Sequence, residues 1–208
     1  MKNTIFVEGK SDIEFIESII PNITVKDIFL DSFKGGGETD NSIITKRLKT
    51  FLNDFQIHPS EKLGIILDLD SFTSEEKLEF LNISINDVFN TTIDEIGVFK
   101  NVIIHEVTLE IACFFIEPNL DVLLRSIAKS NSDISDCLFS CLNVESITTK
   151  ERDKAWLYYY LLWDICDIKE RENRLKNVNL KNAVLKNAWK LDSPNLKTIL
   201  SFLENFKK

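Results

Sequence analysis

The five consecutive apolar residues Leu63-Gly64-Ile65-Ile66-Leu67 stop abruptly at Asp68-Leu69-Asp70-Ser71. A strand with one wet face alternates apolar and polar residues. An unbroken run of this length instead suits a strand covered on both faces, as in a parallel sheet packed between helices. The segments around it agree. Thr4-Ile5-Phe6-Val7 is a short β-prone run ending at Glu8-Gly9, and Ser11-Asp12-Ile13-Glu14 reads as a capping box opening a helix that Pro21 stops. Ile23 to Leu30 is a second strand candidate, and residues 42–56 carry apolar positions at helical spacing. After the acidic pair, Thr73-Ser74-Glu75-Glu76 forms another capping box opening a short helix. One or two strands are expected between Ile93 and Ile116, with Ile111 to Ile116 as the last parallel strand before Glu117-Pro118.

From about residue 120 the pattern is helical, in segments near 120–129, 133–143, 152–167, 179–190 and 195–206. The expected architecture is therefore α/β. It has a Rossmann-like parallel sheet of about four strands flanked by helices over residues 1–118. A C-terminal helical extension, 119–208, packs on that core as one compact unit.

Composition narrows the function classes. The chain of 208 residues is 44% hydrophobic and 28% charged, the balance of a globular protein, and no apolar run approaches the ~20 residues that span a bilayer. The first residues hold too short an apolar segment for a signal peptide, so a cytoplasmic protein with no membrane partner is expected. Cys113, Cys137, Cys141 and Cys166 include no Cys-x-x-Cys pair and read as buried, reduced thiols, and two histidines leave few ligands for zinc. The net charge of −8 is uneven: residues 169–208 sum to +6, the rest to −14. That basic tail reads as an ordinary solvated helix surface or as a phosphate-binding face.

In an open parallel sheet, ligands gather beyond the carboxyl ends of the strands. Glu8 and the Asp68/Asp70 pair both fall there, and if strands one and three are neighbours the three carboxylates converge. On extended backbone Asp68 and Asp70, two apart, point to one side. Crowded carboxylates repel and favour entry of a cation; oxygen-only donors suit Mg2+ or Mn2+. Asp12, one helical turn beyond Glu8, is a further candidate ligand or a first-turn helix stabiliser. Lys34-Gly35-Gly36-Gly37 could bring backbone N–H groups to a phosphate or serve as a flexible turn, and Lys10 could contact a phosphate or offset local charge.

Phe6-Val7-Glu8-Gly9-Lys10-Ser11-Asp12, followed some sixty residues on by Ile66-Leu67-Asp68-Leu69-Asp70, resembles the two motifs of the Toprim domain. Topoisomerases, bacterial primases, recombination mediators and nucleases of the overcoming-lysogenization-defect type share that domain. The Val-Glu-Gly form followed by Ser-Asp is most similar to the small nuclease-like branches. The tail, with Asp153-Lys154-Ala155-Trp156-Leu157-Tyr158-Tyr159, resembles a stand-alone, uncharacterised bacterial Toprim-like family.

The resemblance implies a four-stranded parallel core, Glu8 as general acid/base, and Asp68 and Asp70 as metal ligands. It also implies a further acid after the last strand, a place that Glu117 or Asp121 could fill. The expected activity is Mg2+- or Mn2+-dependent hydrolysis of DNA or RNA. The alternative is a non-catalytic module that binds nucleic acid or a partner protein, such as an ATPase in phage defence or repair. Self-association is also compatible with the resemblance.

Three other readings fail on the residues. A P-loop would need glycine where Thr4 stands. In haloacid-dehalogenase-type phosphatases Asp-x-Asp follows the first strand and a Thr or Val comes two residues on, where this chain has Phe72. A topoisomerase needs a tyrosine nucleophile on a strand-gating domain, whereas Tyr158, Tyr159 and Tyr160 are consecutive on an apolar helix. Trp156 and Trp163 likewise read as core rather than as a base-stacking platform.

Overall fold

The structure is a computed structural model that describes residues 3–20, 22–29, 40–57, 60–173 and 178–207. The parallel strands are β1 (Thr4–Val7), β2 (Thr24–Asp27) and β3 (Lys62–Asp68), and a hairpin follows from β4 (Lys100–Ile104) and β5 (Val107–Ile116). They form one five-stranded sheet in the order β2-β1-β3-β5-β4. The pairs β1–β2, β1–β3 and β3–β5 are parallel, with Phe6 opposite Ile65 and Asp68 opposite Ile116; β4 pairs antiparallel to β5. The expected four-strand sheet thus gains an antiparallel edge. Its turn, His105-Glu106, is left-handed at both residues (φ 47° and 69°) and lacks the Asn-Gly or Asp-Gly signature that marks such hairpins in a sequence.

Helices cover both faces. On one lie α2 (Asp40–Ile57) and α3 (Ser74–Phe89); on the other lie α1 (Lys10–Ile19) and the C-terminal helices. The central strand divides its side chains accordingly. Leu63, Ile65 and Leu67 enter the core under α2 and α3, while Ile66 joins the core shared with the C-terminal helices. The apolar run of β3 is what a strand buried on both sides requires. Gly64 is the exception in size: a Cβ there would stand 2.7 Å from the Phe206 ring, so the missing side chain makes room for the C-terminal segment.

The C-terminal region consists of α4 (Leu120–Ser126), α5 (Asp133–Cys141), α6 (Thr149–Tyr160), α7 (Ile168–Glu172), α8 (Leu180–Leu185) and α9 (Lys197–Glu204). A π-helical turn over Leu161–Ile165 extends α6. Trp156, Tyr160, Trp189, Phe202 and Phe206 from this region share one core cluster with Ile5, Val7 and Phe15. The helix α6 is anchored by Arg125, which lies 3.0 Å from the fully buried Asp153, and by the Trp156 Nε1–H donated to Asp136 Oδ1 at 2.7 Å.

Several local expectations need correction. The box at Ser11 does not form: Gly9 is the N-cap, with no side-chain cap bond, and the helix begins at Lys10. Glu14 instead accepts the N–H of Leu180 at 3.0 Å, tying α1 to α8. The box at Thr73 does form, with Thr73 and Glu76 bonding reciprocally, and opens a helix of 16 residues rather than a short one. Only Cys113 and Cys166 are buried; Cys137 and Cys141 are exposed on α5. Trp156 is core, but Trp163 is 39% exposed and carries the Arg171 guanidinium over its ring.

Candidate functional site

The strand order sets Glu8 beside the tip of β3. Glu8 follows β1, Asp68 ends the adjacent β3, and the Asp68 N–H donates to Glu8 Oε1 at 3.0 Å. Asp68 in turn accepts the N–H of Leu120, at the start of α4, at 3.1 Å on Oδ1. Asp12 lies in the first turn of α1 and Asp121 in the first turn of α4. These four carboxylates (Glu8, Asp12, Asp68 and Asp121) line one cleft of about 770 Å3 at the carboxyl end of the sheet. Of the two proposed acids after the last strand, Asp121 borders this cleft, whereas Glu117 is exposed and borders a separate depression.

Asp70 departs from the expected placement. The strand ends at Asp68, and Asp70 has a left-handed φ of 53°, so the alternation that would align the two carboxylates does not extend to it. Its backbone N–H donates to Pro118 O at 2.7 Å. Its carboxylate accepts both 2.8 Å bonds of the Lys150 ammonium, from the first turn of α6. Asp70 therefore stands at the rim, close enough to raise the pKa of Glu8, Asp68 and Asp121 by its charge.

The cleft disfavours negative charge. Burial first, then Asp12 and Glu8, push Asp68 up to about 8, although the Leu120 amide opposes the shift. Burial and the neighbouring Glu8 raise Asp12 to about 7. Glu8 and Asp121 are raised as well, chiefly by burial; Lys77 and the Asp68 amide moderate the first, Lys154 the second. Burial acts to lower the Lys150 pKa, but its bonds to Asp70 and the surrounding carboxylates hold it above the ordinary lysine value.

Sequence reasoning missed Lys77, Lys150 and Lys154 as members of the site. Lys77 of α3 is 10% exposed at its side chain, lies 3.4 Å from Glu8 Oε1 and packs over the Phe72 ring. One signal was available: Lys77, Leu81 and Ile85 recur every four residues on the buried stripe of that helix. Lys150 and Lys154 come from a helix eighty residues beyond the acidic pair, and nothing in their local pattern points back to it. Lys10 borders the cleft with its side chain 89% exposed and pairs with Glu14 at 3.7 Å. Lys34, Gly35, Gly36 and Gly37 lie outside the described residues.

The donor set fits a hard divalent cation in kind: carboxylate oxygens only, with Asp12 and Asp68 raised to about 7 and about 8 by burial first and by neighbouring carboxylates second. Among the described residues, no group of three or more His, Cys, Asp or Glu side chains is drawn together as a ready-made metal centre. Among the same residues, no helix is long and apolar enough to cross a membrane.

A family profile described as "Protein of unknown function (DUF3226)" matches residues 2–208. No curated protein matches the chain, and no solved structure matches it.

Proposed function

We propose that this chain, which belongs to the DUF3226 family, hydrolyses phosphodiester bonds of nucleic acid with Mg2+ or Mn2+ in a Toprim-type acidic site. One observation carries the reading: carboxylates at the tips of β1 and β3 and in the first turns of α1 and α4 line one cleft in which Asp12 and Asp68 are held up at about 7 and about 8. The neighbouring placement of β1 and β3, with β2 outside β1, supports the Toprim comparison.

Asp12, Asp68 and Asp121 are the side chains that would hold the ion. When bound, the ion supplies Lewis acidity toward the phosphodiester and offsets the charge that its hydrolysis develops. The protein's own groups do the rest. Glu8 is oriented by the Asp68 N–H and the Lys77 ammonium, which hold its carboxylate in place as a proton acceptor. It takes the proton of the water that attacks phosphorus, one P–O ester bond breaks, and the departing oxygen is protonated from solvent. The Leu120 N–H fixes the orientation of Asp68, and Lys150 holds Asp70 at the rim.

The test is cleavage of labelled DNA and RNA with Mn2+, comparing wild type with Asp68→Asn. Loss of at least a hundredfold in the variant is expected, and equal rates would sink the proposal.

A second reading has its own support. Glu8 and Asp70 each already contact a lysine, as carboxylates do in a site that operates without an ion. A non-catalytic module binding nucleic acid or a partner such as an ATPase would bind without cleaving.

A further inference from the structure

One stripe of α6 lines the same cleft as the carboxylates. Lys150, Lys154 and Tyr158 recur every four residues and all border the cleft, with Leu157 and Leu161 beside them. At about 1.5 Å per residue the stripe runs ~12 Å from Lys150 to Tyr158. Its first two members are cationic, and its last is an aromatic ring. Lys154 is exposed and makes no ion pair among the described residues. Tyr158 is 42% exposed, unlike the fully buried Tyr160, and its ring is braced edge-on by Tyr159 at 5.3 Å and 84°. The rest of α6 is fixed by the Arg125–Asp153 pair, by the Trp156 Nε1–H donated to Asp136 and by the Tyr160 ring against Trp189 at 5.3 Å. The stripe is therefore a preorganised surface.

Resting on the phosphodiester reading above, we infer that this stripe selects a single-stranded nucleic acid, with Lys154 contacting a backbone phosphate and Tyr158 stacking on an unpaired base. Three features decide for a strand over a duplex. A base inside a duplex is stacked on both faces, so an aromatic ring can reach only a splayed one. The cleft, about 770 Å3, has the size of a small-ligand pocket rather than of a groove that receives a helix. The cleft itself is lined by five acids (Glu8, Asp12, Glu14, Asp68 and Asp121) against three lysines (Lys10, Lys150 and Lys154), so phosphate contact there is confined to a few lysines. Lys150 is committed to Asp70, which leaves Lys154 as the cation of the stripe that is available to a phosphate.

The test is fluorescence anisotropy with end-labelled oligothymidylate, oligouridylate and a DNA duplex of equal length, in calcium buffer and again in EDTA. Wild type is expected to bind one or both single strands at least tenfold tighter than the duplex; the two single-strand arms identify DNA or RNA. Tyr158→Leu should lose fivefold to a hundredfold in single-strand affinity while Tyr158→Phe retains it, which separates stacking from folding. Lys154→Ala should weaken binding and reduce the slope of log affinity against log salt by about one. Equal affinity for strand and duplex, no binding of either, or wild-type affinity in both Tyr158→Leu and Lys154→Ala would overturn the inference. The two proposals fail separately. Selective binding without cleavage removes the hydrolysis and leaves the strand selectivity. Cleavage dependent on Asp68 with no effect at Tyr158 or Lys154 does the reverse.

Discussion

The backbone N–H of Asp68 donates to the carboxylate of Glu8 across 3.0 Å, joining the tips of two adjacent parallel strands. The bond makes the acidic cleft a property of the sheet rather than of a loop. Neither residue can shift along its strand without breaking the β1–β3 register that pairs Phe6 with Ile65. It also aims the Glu8 carboxylate toward a neighbour whose own charge opposes it, and the consequences are measurable.

Stability should depend on pH with a defined sign. Burial and neighbouring carboxylates hold Asp12 and Asp68 at about 7 and about 8 in the fold, against 3.8 for an ordinary aspartate, so the folded state holds their protons more tightly than the unfolded state. The resulting penalty is absent below about pH 4, grows as pH rises, and is complete only above about 8. Thermal melts of wild type should lose on the order of 2 kcal/mol between pH 5 and pH 8 relative to Asp68→Asn. Parallel curves for the two proteins would contradict this.

Added Mn2+ should reverse the penalty. An ion that binds only the folded protein raises its stability by mass action, and at pH 8 its binding must compete least with protons. The melting temperature of wild type should rise by several degrees on saturation, and that of Asp12→Asn or Asp68→Asn by much less. A metal-independent melting temperature in wild type would argue against a cation site.

Lys77 should set the charge state of Glu8. Its charge lowers a pKa that burial raises, so Lys77→Met should push the Glu8 pKa further up. If Glu8 acts as the base, the acidic limb of the cleavage rate profile should then move to higher pH by about one unit. An unmoved limb with reduced activity would assign Lys77 a purely structural part.

Gly64 should be intolerant of even one methyl group. The Phe206 ring that a new Cβ would meet at 2.7 Å is itself buried, tilted against Phe99 and edge-on to Phe202, each at 5.4 Å. Gly64→Ala should cost about 1–3 kcal/mol in denaturant unfolding. Combining it with Phe206→Leu should recover part of the loss, since the two changes share one contact.

The capping box at Thr73 opens the helix that carries Lys77. Thr73→Ala removes the acceptor for the Glu76 N–H and should cost about 1 kcal/mol of stability in denaturant unfolding.

The amino-acid sequence by itself determined the elements whose signals are local. The apolar run 63–67 declared a strand covered on both faces, and its abrupt end at Asp68 put a carboxylate at the strand tip. Thr4–Val7 and the box at Thr73 were equally legible, because burial pattern and capping depend on residues within a few positions. What depends on partners far along the chain was not legible. Glu14 looked like a cap for its own helix, but the fold gives it the Leu180 amide. Asp70 looked aligned with Asp68, but a left-handed backbone and Lys150 turn it to the rim.

Only the tertiary structure decided that Asp121 rather than Glu117 borders the cleft, that Lys77 stands against Glu8, and that one stripe of α6 lines the same cleft. Periodicity tells which face of an element is buried, since that follows from apolar area alone. Which charged group meets which depends on strand order and helix docking, where pairings separated by 60–150 residues are chosen by packing of the whole core.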